Sequence, residues 1–178
     1  MAKNSFIFKD GILVDIQTKC HSLVVKCNPG AYEFAYNLYE RDINIAIVSD
    51  SPVFWVKKCF EKAHSRTKDL HKPLLTFLGN DDNIFSSKDC KDSKPYCSVF
   101  KKARHYLNKN VNDTEKIKEL LRIIFVVVNT RTDVVSALSS NYYVLYVSET
   151  DTSFDKDYRV RRFQNLFALF DYIVKNLI

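Results

Sequence analysis

Glycine and proline are scarce, at three and four among 178 residues. That excludes a linker-rich, collagen-like or low-complexity chain. No apolar run approaches the roughly 20 residues that span a membrane, and the N-terminal MAKNSFIFKD carries no apolar signal segment. The expectation is a soluble, cytoplasmic protein with no membrane partner. The five cysteines, Cys20, Cys27, Cys59, Cys90 and Cys97, form no CxxC pair. An odd number without a signal argues against a disulfide framework. Neither Cys20, His21 and Cys27 nor Cys90, Cys97 and His105 have zinc-finger spacing. A glycine-rich phosphate loop, a GxGxxG and a Ser-His-Asp order are all absent.

What is abundant is apolar and aromatic: 46% of residues are hydrophobic, with 13 Phe and 10 Tyr. One domain over residues 1–178 can therefore bury a large core. The net charge is +6, with the basic residues scattered among 21 acids. The densest basic runs are Lys101-Lys102-Arg104 and Arg159-Arg161-Arg162. They are read as solvated faces, with a nucleic-acid-binding module as the weaker alternative.

Along the chain, Ser5–Lys9 reads as a strand covered on both faces, ending in a turn at Asp10-Gly11. Two apolar pieces around Thr18–Ser22 read as a hairpin. Asn28-Pro29 reads as the cap and first position of a helix to Arg41, with Tyr32, Ala35, Leu38 and Tyr39 as its buried stripe. Strand 43–48 follows, then Ser51-Pro52 opening a helix to about Ser65. Leu74–Leu78 reads as a third strand, 86–93 as a loop, and 96–107 as a helix. A short helix ends near Leu121. The apolar run Arg122–Val128 is placed as a central strand, followed by a helix from about Asp133. Tyr142–Val147 is the last strand, 148–158 an acidic loop, and 164–177 the closing helix, with Phe167 among its buried residues. Strands alternating with helices give an α/β, three-layer Rossmann-like sandwich with a mainly parallel five-stranded sheet and a small hairpin after the first strand.

In such a fold, ligands meet residues just past the strand ends. These are Phe8, Lys9, Asp10, Ser49, Asp50, Lys94 at a helix start, Asn129 and Asp133. The carboxylates Asp10 and Asp133, the Ser49 hydroxyl and the Lys94 ammonium suit an oxyanion such as phosphate, with or without a hard cation. The bland roles compete: Asp10 as a turn residue, Ser49 and Asp133 as helix caps, Lys94 as a solvent lysine.

Four segments in order carry a resemblance: IFKDGILVD, INIAIVS, Lys94-Pro95 with VFKKA behind it, and VVVNTRTDVVSA. They are similar to the motifs of the haloacid dehalogenase superfamily, mostly phosphate-transferring hydrolases. The resemblance implies Asp10 as acid/base, Ser49 and Lys94 as phosphate-binding residues, and Asn129 and Asp133 at metal-ligand positions. It also places Phe8 where the family has its aspartate nucleophile, which also binds magnesium, and Asn129 where it has a carboxylate. A phenyl ring neither attacks phosphorus nor ligates a metal.

The spacing from Asp10 to Ser49 to Lys94 leaves no room for a full cap domain. The expectation is thus a capless, degenerate member acting as a binding or regulatory pseudoenzyme, on a protein partner or a phosphorylated ligand. No cofactor is expected, with Mg²⁺ only if activity remains. The alternative is an active Mg²⁺-dependent phosphatase with its nucleophile displaced to Asp15 or Asp50.

Overall fold

A computed structural model describes residues 4–19, 22–63, 72–78, 81–89, 95–109 and 123–177. Strand β1 (Ser5–Lys9) leads into a single helical turn, α1 (Asp10–Leu13), then the hairpin β2 (Val14–Lys19) and β3 (Ser22–Cys27). Helix α2 (Ala31–Glu40), strand β4 (Ile45–Ser49), helix α3 (Val53–Lys62) and the short α4 (Leu75–Leu78) follow. Next come β5 (Ile84–Ser86), α5 (Pro95–Lys109), β6 (Ile124–Val128), α6 (Arg131–Ser139), β7 (Tyr143–Val147), β8 (Val160–Phe163) and α7 (Leu166–Asn176).

The main sheet is six-stranded in the order β5-β4-β1-β6-β7-β8, every pairing parallel. β1 and β6 form its centre, as the apolar runs imply: a strand covered on both faces has no need of polar alternation. The pleat sends Phe6 and Phe8 to one side, with Ile45, Ile47, Phe125 and Val127. There they meet α2, α3 and α7. Ile7, Ala46, Val48, Val126 and Val128 turn to the other side, against α5 and α6. The result is helices, sheet, helices in three layers. The hairpin forms its own two-stranded antiparallel sheet, in register from Val14 opposite Cys27 to Lys19 opposite Ser22.

The sheet has one strand more than the sequence implies, and its edges differ. Leu74–Leu78 is not a strand. After Pro73 it turns helical, and Phe77 and Leu78 pack into the α2 side of the core. Four apolar residues cannot themselves select between strand and helix. The strand beside β4 is instead Ile84–Ser86, in register with Ile47–Ser49. β8, reading VRRF, is the added outer strand. Its Arg162 bonds Asp155 at 3.0 Å, and Arg161 lies over the Tyr172 ring at 4.1 Å.

Several ends also differ. Gly30, at φ 79°, rather than Asn28, precedes α2, and Pro52 precedes α3 with no side-chain cap. Asn28 spends its amide on Gly11 and Ile12 carbonyls instead, at 2.9 and 2.8 Å. α6 starts at Arg131, capped by Thr130 rather than by Asp133. Tyr39 and Phe167 stand exposed rather than buried. The helix expected near Leu121 lies outside the described residues. Among the described residues, no helix is long and apolar enough to cross a membrane.

Candidate functional site

The carboxyl ends of β1, β4 and β6 converge at the middle of the sheet. β1 brings Phe8, Lys9 and Asp10 there, β4 brings Ser49 and Asp50, and the β6–α6 junction brings Asn129 and Asp133. The parallel register sets this meeting, with Phe8 beside Ile47 and Val127, and Lys9 beside Val48.

Phe8 does not open onto the site. It is 1% exposed and belongs to a file of rings through the α2 layer. Phe125 stacks on Phe6 at 5.8 Å, Phe6 on Phe8 at 6.2 Å, Phe8 meets Phe34 edge-on at 5.3 Å, and Phe34 meets Phe170 at 5.6 Å. Such pairs add about 0.5–1.5 kcal/mol each beyond area burial.

Lys9, the next residue along β1, turns its ammonium into the site. Its Nζ lies 2.5 Å from Asp50 Oδ2 and 3.4 Å from Asp133 Oδ1. Burial alone would lower its pKa. The hydrogen bond it donates to Asp50 and the charges of Asp133, Asp50 and Asp10 outweigh that and hold it above the usual lysine value. Asp133 is buried, and Thr130 donates its hydroxyl to Asp133 Oδ2 at 2.6 Å. Asp50 is half exposed and also accepts from the Ser87 hydroxyl at 3.3 Å.

Asp10 lies at the start of α1 and accepts the Ser49 hydroxyl at 2.9 Å. Burial raises its pKa above the usual carboxylate value, against opposing effects of Ser49, Lys9 and the Gly11 backbone. Ser49 is 1% exposed, and its oxygen also accepts the Ser51 amide at 2.9 Å. Asn129 is exposed and donates to the Gly11 carbonyl at 3.2 Å. Among the described residues, no three His, Cys, Asp or Glu side chains converge as a metal site.

Six of the residues singled out in sequence thus come together: Lys9, Asp10, Ser49, Asp50, Asn129 and Asp133. Lys94 lies outside the described residues. Asp15 is exposed on the hairpin. The partners of Lys9 are not evident from the motifs. The signal that does exist is Lys9 itself, a lysine closing a strand buried on both faces. Such a charge needs paired carboxylates. Thr130 likewise had no role in sequence. Of the two basic runs, Arg159 pairs with Asp157 at 3.1 Å and Arg162 with Asp155, which leaves that run largely neutralised.

No family model matches the chain, and no curated protein matches it in sequence. Solved structures do match in fold. A Thermotoga maritima protein assigned as a β-phosphoglucomutase superposes with TM-score 0.68 at 14% identity, over 98% of this chain and 100% of its own. The D,D-heptose 1.7-bisphosphate phosphatase of B. bronchiseptica, complexed with magnesium and phosphate, gives TM-score 0.60 at 13% identity, over 98% and 99%. A Had-superfamily hydrolase from Ehrlichia chaffeensis gives 0.57 at 18%, over 89% of this chain. This chain spans 62% of that hydrolase's length. The chain thus shares the fold of these proteins, a Had-superfamily hydrolase among them.

Proposed function

We propose that this chain is a noncatalytic version of the haloacid dehalogenase fold, which acts by binding rather than by phosphoryl transfer. The observation that carries the reading is the Lys9 ammonium between Asp50 and Asp133. Mg²⁺ is held through carboxylate and substrate oxygens in near-octahedral geometry. Here Phe8 offers no oxygen, Asn129 gives its amide to Gly11, and the Lys9 ammonium already engages the Asp50 and Asp133 carboxylates. These residues do not fit magnesium. The lysine is a built-in counterion in its stead.

The same charges disfavour a phosphorylated ligand. Asp10, Asp50 and Asp133 outnumber Lys9, and the Ser49 hydroxyl is already committed to Asp10. A partner without a phosphate suits the site better. A displaced nucleophile fares no better: Asp50 is engaged by Lys9 and Ser87, and Asp15 sits on the hairpin.

The test is an assay on p-nitrophenyl phosphate with Mg²⁺, alongside thermal melts with and without the metal. No turnover and no Mg²⁺-dependent rise in Tm are expected. Turnover abolished by Asp10→Asn sinks the reading.

A further inference from the structure

Beside the charged cluster lies a neutral cavity of about 440 Å³, at the carboxyl ends of β6 and β7 and the start of α7. None of its lining residues is charged, in a chain where 27% of residues are. Its volume falls in the range of small-molecule sites, and its place is where open α/β sheets bind ligands.

Four amides line it: Asn28, Asn129, Gln164 and Asn165. Three are fixed by internal bonds that leave one end available. Asn28 and Asn129 donate through Nδ2 to backbone carbonyls, so each keeps Oδ1 as an acceptor. Asn165 accepts the Ala168 amide on Oδ1 as the cap of α7, and so keeps Nδ2 as a donor. Among the described residues, no hydrogen bond engages the Gln164 side chain. The cavity thus offers two fixed acceptors, a fixed donor and one free amide.

Phe167 supplies a flat wall. A Cβ on Gly30 would lie 3.0–3.2 Å from its ring, so the ring rests against the Gly30 backbone. It is nevertheless 57% exposed and lines the cavity. A ring braced on one side and open on the other is a stacking platform.

We propose that this cavity binds an uncharged, planar heteroaromatic ring with adjacent donors and acceptors, of the nucleobase or nucleoside class. The ring stacks on Phe167. Its N–H groups donate to Asn28 and Asn129, and its carbonyl or ring nitrogen accepts from Asn165 and Gln164. The absence of cationic side chains means that a phosphate adds nothing. The proposal stands whether or not the neighbouring cluster proves catalytic, since it uses neither Lys9 nor Asp10.

The test uses the full chain, with uridine and adenosine as probes, followed by saturation-transfer NMR and calorimetry. At least one nucleoside is expected to bind with Kd below about 1 mM. Phe167→Ala and Gln164→Ala each weaken it about tenfold, while Lys102→Ala, away from the cavity, leaves it unchanged. The 5′-monophosphate binds no tighter than its nucleoside. The proposal is overturned if neither nucleoside binds, if neither cavity variant weakens binding, or if N-acetyl-tyrosinamide binds more tightly than both nucleosides. That last result would assign the cavity to an aromatic side chain of a protein partner.

Discussion

Replacing Lys9 by Met would leave Asp133 buried with no opposing charge. Breaking one side of a buried pair is costly because the remaining ion keeps its desolvation penalty. Asp50 is half exposed and contributes less, so we expect a loss of about 3 kcal/mol in urea denaturation. Adding Asp133→Leu to Lys9→Met should recover most of it, since an apolar replacement of both partners removes the stranded charge. Asp10 gives a second, pH-resolved prediction. A carboxyl whose pKa is raised by folding favours the folded state below its unfolded value, near 3.9, and loses that advantage as pH rises through the folded value. Burial raises Asp10. Asp10→Asn should therefore melt higher than the parent at pH 7, with the gap closing as pH falls toward about 4. A gap that widens on acidification would contradict the assignment. Neither effect was legible in sequence. Lys9 and Asp10 were visible as strand-end residues, but which carboxylates would face the lysine depended on β4 and α6 arriving beside β1.

Elements here are set as much by how they begin as by their periodicity. α6 begins at Thr130, whose hydroxyl accepts the Asp133 amide and donates to the Asp133 carboxylate. Thr130→Ala should cost about 1–2 kcal/mol, and it should also loosen the Lys9 cluster, read as a smaller penalty for Lys9→Met in the Thr130→Ala background. α2 begins instead at Gly30 in the left-handed region. Gly30→Ala should destabilise by about 1 kcal/mol from backbone strain alone. The Phe167 ring must also shift from its 3.0–3.2 Å approach, so the same variant should weaken nucleoside binding. Asn28 looked like the cap because Asn-Pro precedes so many helices. Its amide went to the Gly11 and Ile12 carbonyls of α1, a long-range choice that local sequence does not encode. The edge strands show the same limit. β5 has three residues and β8 reads VRRF, so neither carries the apolar run by which β1, β4, β6 and β7 declare themselves.

At the scale of the whole molecule, Phe8 belongs to the packing rather than to the charged cluster. Its ring sits between Phe6 and Phe34 in the aromatic file behind the sheet. Placing a carboxylate there would bury a charge among phenyl rings. Phe8→Asp should destabilise the protein by at least about 4 kcal/mol and give no turnover on p-nitrophenyl phosphate, as read by denaturation and assay together. Activity in that single variant would mean that the ring file relaxes and that Lys9 moves aside.

The sequence by itself determined the fold class: four apolar runs alternating with amphipathic helices leave a parallel, helix-covered sheet as the economical burial of so much apolar surface. It also determined that neither Phe8 nor Asn129 can offer a carboxylate, because side-chain identity alone excludes that ligand. Tertiary structure decided the rest. Strand order and register brought both Asp50 and Asp133 to the Lys9 ammonium, and placed four uncharged amides around one cavity. Those residues come from segments far apart in the chain. Their juxtaposition depends on the whole sheet closing over its two helix layers, which no local pattern specifies.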